Sequence, residues 1–411
     1  MNTGDRREET GGGRAILLLC VLLAPGCSGG ATTQKPPATG NAEKGQDLYL
    51  AGQFETAEAE LRGAVQRDPK DVLARRLLGR VLLLRNQTRE AADQLGQAVN
   101  LTKDKHQGFD PMAMQDYVGA LYRMDDFARL SEWYGNMHDV VLHGKYKQMS
   151  RLTPPYTASW RGGAASMPSE RGPVPVFEMR VNGASGAFSI DTSAGELVLD
   201  NKFAKSAGAK VMGSTSRTMT GALTEGYVDM IDAPGLQLRT VPVVMRDLQP
   251  IGARHVIGVL GANFLMHFQT TIDFRAERVT LRPMGAPARE RGQALPLYIA
   301  GDHHFIVRAE IDGKPALLVL HTGLVGRSFV PSQAYIAQRV REEKRLPTAE
   351  NPLLKEVRLG PVKLVARDDP ADFPGGLDTS FGFVVAGLVG PEAFRGRAVT
   401  IDVERMKLVM E

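Results

Sequence analysis

The stretch Ala187-Phe188-Ser189-Ile190-Asp191-Thr192-Ser193-Ala194-Gly195 decides the fold, because the chain writes it again as Ala316-Leu317-Leu318-Val319-Leu320-His321-Thr322-Gly323-Leu324-Val325. In each copy an apolar run ends on an ionisable residue, a threonine and small residues, and Asp191 to His321 is a step of 130 residues. Upstream lie two alternating runs with turn signals, Val176 to Val181 before Asn182-Gly183 and Phe305 to Ile311 before Asp312-Gly313. Asn-Gly and Asp-Gly between such runs are β-hairpin signatures. Downstream, Ile257-Gly258-Val259-Leu260-Gly261 with Thr271-Ile272-Asp273 is matched by Ala386-Gly387-Leu388-Val389-Gly390 with Thr400-Ile401-Asp402. Gly258 to Gly387 and Asp273 to Asp402 are both steps of 129. The pattern predicts two similar all-β lobes, residues 173–283 and 300–411, joined by an inter-lobe linker over 284–299.

Strand, ionisable triplet and glycine-bearing strand, twice in this order, resemble the aspartic protease family in its retropepsin-like or pepsin-like bacterial form. The resemblance covers Pro173 to Glu411. It implies an acid-protease fold in which each lobe brings one aspartate to the floor of a cleft. Two carboxylates about 3 Å apart cannot both ionise, so such a pair shares a proton. One then acts as base on a water while the other polarises the scissile carbonyl. Carried onto this chain, the catalytic pair is Asp191 and His321. Thr192 and Thr322 would bond across the lobe interface, and Ser193 and Gly323 would form the turns beside the pair. A flap over the cleft would come from Thr218 to Tyr227, with Gly221 and Tyr227 meeting the substrate.

Two positions depart from that family's pattern. His321 stands where the second aspartate belongs, and Ser193 replaces the first glycine. An imidazole can take or hold a proton near neutral pH, so Asp191 and His321 can form a mixed dyad. Alternatively they form an ion pair that only holds the lobes together, or first lobes from two chains pair their aspartates. Ser193 would strain the backbone if its turn needed a positive φ.

Before the β region the composition changes. From Asn41 to Met137 apolar residues follow helical spacing, and Gly45/Gly79, Leu48/Leu82, Ala57/Ala91, Leu61/Leu95 and Ala64/Ala98 are each 34 apart. That period and its small residues resemble tetratricopeptide repeats, with a degenerate third unit near Tyr117 to Trp133. An all-α repeat domain is expected over 42–150, and the Pro- and Gly-rich residues 151–172 read as a linker. The array offers either a concave surface for a protein partner or a docking element for the β region.

At the N-terminus Arg6, Arg7 and Arg14 precede the apolar run Ala15 to Ala24, which is too short to span a bilayer. It ends in Leu23-Ala24-Pro25-Gly26-Cys27 and resembles a lipoprotein signal. The resemblance implies a signal peptide over 1–26, lipid on Cys27 as the only membrane contact, a tether over 27–41, and an envelope location at the outer membrane, facing the periplasm.

Composition closes off other classes. Lys plus Arg number 50 against 46 Asp plus Glu, spread without a basic block, so no nucleic-acid partner is expected. The only two cysteines are Cys20 and Cys27, which leaves the folded body without thiol or disulfide chemistry. His303-His304 and His255 with His267 lack helical ligand spacing and acid partners, so they read as ordinary surface or strand residues, and neither metal nor organic cofactor is implied. Ser193 and Ser328 have no histidine in a hydrolase elbow, which argues against serine chemistry. The sequence therefore points to a multidomain, envelope-anchored aspartic-type peptidase acting on a peptide or protein substrate. The alternative is a catalytically silent scaffold that holds polypeptide in the cleft and on the repeats.

Overall fold

The computed structural model describes residues 40–104, 110–152, 154–212, 216–218, 221–250, 255–288, 291–348, 350–365, 370 and 373–411. The expected signal peptide, Cys27 and the tether up to residue 39 lie outside the described residues. The described residues form a helical region followed by a β-rich region. Among them no helix is long and apolar enough to cross a membrane.

Seven helices open the described chain: α1 (Gly40–Leu50), α2 (Phe54–Arg67), α3 (Val72–Leu84), α4 (Thr88–Asp104), α5 (Pro111–Arg123), α6 (Phe127–Asn136) and α7 (Val140–Met149). Aspartates set several starts by accepting backbone N–H bonds that the first turn leaves open: Asp71 for α3, Asp110 for α5, Asp126 for α6 and Asp139 for α7. The 34-residue period has a packing cause. A Cβ on Gly45 would fall 2.6 Å from Leu61, and one on Gly79 would fall 2.5 Å from Leu95. Each hairpin thus closes glycine against leucine, and the contact recurs one repeat later. At the far end Tyr146 of α7 stacks on Phe127 and Tyr134 of α6.

In the β region Val176–Val181 pairs antiparallel with Ala184–Ile190, and His304–Ile311 with Lys314–Leu320. Their turns hold Asn182-Gly183 and Asp312-Gly313, all four at positive φ, as tight hairpins of this type require. Gly258–Leu260 then runs parallel to the end of Ala184–Ile190, as Gly387–Val389 does to the end of Lys314–Leu320. The two halves share a six-stranded antiparallel sheet in the order Ala165–Glu170, Arg278–Pro283, Phe268–Asp273, Ala398–Asp402, Lys407–Met410, Gln293–Ala300. Thr271 opposes Thr400 at its centre, with the hydroxyls 2.8 Å apart.

Both expected linkers need correction. Residues 151–172 contain the strands Thr157–Trp160 and Ala165–Glu170, and residues 284–299 contain most of Gln293–Ala300. The latter two are the outer strands of the shared sheet. Each carries a proline, Pro168 or Pro296, which outer positions tolerate and which reads as loop when seen in sequence.

The helical region does not stand apart. Tyr49 of α1 and Phe54 of α2 meet Phe383 at 5.5 and 5.2 Å, and Phe54 meets Tyr298 at 4.9 Å. Glu55 accepts from Tyr298 Oη at 2.8 Å and from Arg308 at 2.9 Å. One apolar cluster continues from the helices into Ile306, Val319, Val330 and Leu388 of the second β half. Residues of α1, α3 and α5 line, with Ile299 to Asp302, His304 and Phe381, a cavity of about 180 Å³. Arg80 and Asp116 form a nearly buried ion pair there, 2.7 Å apart.

Candidate active site

The site forms where the two repeated strands end. Asp191 N–H donates to the Leu260 carbonyl at 3.1 Å, and His321 N–H to the Val389 carbonyl at 2.9 Å, so matching backbone bonds hold both ionisable residues. The following threonines interlock. Thr192 N–H donates to Thr322 Oγ1 at 3.0 Å and Thr322 N–H to Thr192 Oγ1 at 3.1 Å. Each hydroxyl then donates to the strand end of the other half, Thr192 to the Leu320 carbonyl at 2.6 Å and Thr322 to the Ile190 carbonyl at 3.1 Å. Both threonines are fully buried.

This frame sets His321 Nε2 3.5 Å from Asp191 Oδ1. Ser193 joins them. Its backbone N–H and Oγ donate to Asp191 Oδ1 at 2.9 and 2.7 Å, and Oγ lies 2.9 Å from His321 Nε2. A carboxylate only accepts, so the serine proton is committed to Asp191 and the serine oxygen accepts from His321. That order puts the imidazole proton on Nε2. Burial pushes the His321 pKa down, and the nearby Asp191 charge only partly opposes it. The ring is therefore neutral at neutral pH and serves as a hydrogen-bond donor. Ser193 is not at positive φ, so the strain considered for it is not present. Gly323 is required for a different reason: a Cβ there would fall 2.3 Å from Asp191 Oδ2.

The expected flap is divided. Ser216–Thr218 pairs antiparallel with the start of Gly221–Ala233, with Gly221 opposite Thr218, while Met219 and Thr220 lie outside the described residues. Tyr227 sits further along, pairs with Lys210 and Pro242, and joins the apolar cluster of the helices. Lys145 of α7 holds the same strand through Glu225 at 2.5 Å.

Two features escaped the sequence. Ser193 does have a histidine neighbour, supplied by a residue 128 positions away. His303 and His304 do have an acid partner: ligand atoms of Asp302, His303 and His304 lie within 4.8 Å of one another, close enough to face one cation. The ring of His303 is already engaged on one side, with Nδ1 2.5 Å from Asp302 Oδ1. Arg123 brings its guanidinium to the same loop through the Gly301 and Asp302 carbonyls. His304 Nδ1, by contrast, is buried and has no hydrogen-bond partner among the described residues. The turn aspartates behave as their position suggests: Asp273 accepts from Arg275 and Ala276 N–H, and Asp402 from Arg405 N–H.

Comparison with known proteins gives the following. Residues 48–107 match the tetratricopeptide repeat family. No curated protein matches the chain. Among solved structures, a retropepsin-like aspartic protease from Rickettsia conorii is 18% identical, with 31% of this chain and 94% of that chain covered and a TM-score of 0.24. Basic 7S globulin from soybean is 11% identical, with 61% of this chain and 94% of that chain covered and a TM-score of 0.35. The tetratricopeptide match thus falls in the helical region.

Proposed function

We propose that the two β halves are the lobes of an aspartic-protease-like unit that hydrolyses peptide bonds with a water activated between Asp191 and His321. The observation that carries this reading is the convergence of Asp191, Ser193 and His321 directly above the interlocked threonines. Asp191, ionised, takes a proton from the water as its oxygen bonds to the scissile carbonyl carbon. His321 Nε2–H turns from Ser193 to the carbonyl oxygen and stabilises the charge that develops there. Asp191 then returns the proton to the amide nitrogen as the C–N bond breaks. Only a bound water enters the step.

A second reading rests on Ser193. Its hydroxyl satisfies both Asp191 and His321 without a water, which suits a cleft that holds polypeptide and does not cut it. Cleavage of a diverse peptide library across about pH 3 to 8 separates the two. Turnover by the wild type that is lost in Asp191→Asn and His321→Ala supports the peptidase. A folded wild type that cuts nothing at any pH overturns it and leaves the scaffold. Lipid on Cys27, holding the protein at the envelope, belongs to the same proposal, and metabolic labelling with palmitate that disappears in Cys27→Ala would test it.

A further inference from the structure

His303 and His304 stand at the start of the strand His304–Ile311, and consecutive side chains of a regular strand point to opposite faces. These two do not separate. The chain turns at Gly301, at a φ of +60°, and the two imidazole rings lie together with centroids 4.0 Å apart. His303 Nδ1 meets Asp302 Oδ1 at 2.5 Å. One ligand atom from each of Asp302, His303 and His304 lies within 4.8 Å of the other two.

An Asp–His pair by itself does not account for this group. His304 Nδ1 is buried without a hydrogen-bond partner among the described residues, and it faces the turn, 4.0 Å from where a Cβ on Gly301 would lie. A buried nitrogen in this state is destabilising, and a bound cation is one of the few partners that corrects it. The His304 ring is held edge-on against Phe381, with centroids 5.2 Å apart.

Space and access are present as well. Gly195 of the first half leaves room beside His303, since a Cβ there would fall 3.2 Å from Nδ1. Asp302 and His304 line the cavity of about 180 Å³ between the helices and the second half, which has room for water to complete a coordination shell. The Asp302 side chain is 57% exposed and that of His303 17%, so an ion has a path from solvent to an enclosed seat. Arg123 of α5 fixes the turn from behind by donating to the Ile299 carbonyl at 2.8 Å and to the Asp302 carbonyl at 3.3 Å. These bonds engage backbone oxygens and leave the Asp302 carboxylate facing the imidazoles.

We propose that Asp302, His303 and His304 bind a divalent transition-metal ion, with zinc the best match, through one carboxylate oxygen and the two Nδ1 atoms. Two imidazoles and a carboxylate form a nitrogen and oxygen donor set that suits zinc, with a water in the fourth position of a tetrahedron. Zinc–ligand bonds of about 2.0 to 2.2 Å place the ligand atoms about 3.3 Å from one another, so the side chains shift by at most about 1.5 Å to close on the ion. The ion replaces the hydrogen bond between Asp302 and His303. The site is separate from Asp191 and His321 and binds whether or not the cleft cuts peptides.

The test uses the full-length chain without an affinity tag, stripped with EDTA and titrated with zinc against a chromophoric chelator, beside Asp302→Asn and His303→Gln. We expect one zinc per chain in the wild type and at least about tenfold weaker binding in each variant, with the unfolding midpoint of the metal-free protein unchanged within a few degrees. A wild type that binds no zinc, or variants that bind it equally well, overturn the site. Magnesium in large excess should not displace the zinc, because it seeks oxygen ligands; displacement would mean that the imidazoles do not hold the ion and would overturn the assignment. NMR of the wild type locates the ion without any substitution. The imidazole nitrogens of His303 and His304 should shift on adding zinc, and shifts at other histidines but not at these two would sink the proposal.

Discussion

Thr192 and Thr322 hold one another reciprocally, each backbone N–H donating to the other's hydroxyl, at 3.0 and 3.1 Å. Because each hydroxyl also donates to the opposite strand end, four bonds in a fully buried spot join the two halves under the reacting groups. Replacing Thr322 by Val keeps the shape but leaves the Thr192 N–H and the Ile190 carbonyl unpaired. The expected loss is about 2 to 4 kcal/mol of stability, measured by denaturant unfolding. Thr192→Val should cost a similar amount, and the double variant less than the sum, since both act on one network.

The charge at position 191 is the proposed base. Asp191→Asn keeps the size of the side chain and should reduce peptide cleavage by at least about three orders of magnitude while the unfolding midpoint stays within a few degrees. Loss of the fold in this variant would make the kinetic result uninformative, so circular dichroism accompanies the assay.

Gly323→Ala tests the close approach of the loops. The added methyl meets Asp191 Oδ2 at 2.3 Å and must push the carboxylate off its bonds to Ser193. Turnover should fall about a hundredfold or more. Gly195→Ala, with 3.2 Å to His303 Nδ1, should be milder.

Asp125 provides a pH test remote from the dyad. Burial raises its pKa to about 7, with the charge of Glu196 adding to the shift. His267 Nε2 is 3.8 Å away, but burial drives its pKa down to about 4, so the two face each other neutral near pH 6. A carboxyl whose folded pKa lies above its unfolded value binds more protons when folded, so its contribution to stability falls as pH rises from about 4 to about 7. Asp125→Asn should remove that loss. At pH 8 the variant should be more stable than wild type by about 2 kcal/mol or more, with little difference at pH 4. Asn also suits the positive φ of 54° at this position. An unchanged gap between the two proteins across this range would contradict the assignment.

The helices and the second β half share one apolar cluster, so the β region should not survive alone. A chain starting at residue 151 would expose the surface around Tyr298, Phe381 and Phe383 that Tyr49 and Phe54 cover. Burial of aromatic side chains of this kind contributes about 1.5 to 3 kcal/mol each. We expect this fragment to express as insoluble material, and a soluble, cooperatively unfolding fragment would argue against the shared core.

Much of this was legible in the sequence. The steps of 130 and 129 residues located both hairpins, both ionisable strand ends and the central Thr271/Thr400 pair, because duplication preserves spacing even where identities change. The 34-residue step located the glycine–leucine contacts of the repeats. What stayed hidden depends on distance along the chain. The outer strands holding Pro168 and Pro296 are strands only because neighbours far away in sequence pair with them. Ser193 becomes a bridge only once His321 arrives from the other half, and His303 looked like a surface residue until folding laid it on Gly195. The docking of the helices on Tyr298 and Phe383 leaves no local periodicity to read.

The shared sheet explains where this chain could diverge from its own copy. Thr271 meets Thr400 and Thr192 meets Thr322, so each threonine touches its own counterpart on the axis relating the halves. A change at one such position immediately confronts the unchanged twin, and the pair must be altered together or not at all. Asp191 and His321 are counterparts that also meet, 3.5 Å apart, yet they differ, with the Ser193 hydroxyl bonded to both and Gly323 in the matching place of the other half. The molecule keeps its symmetry where the halves grip and breaks it where the proposed chemistry lies, so a single gene product presents two unlike side chains to one axis, which a symmetric pair of identical halves could not do.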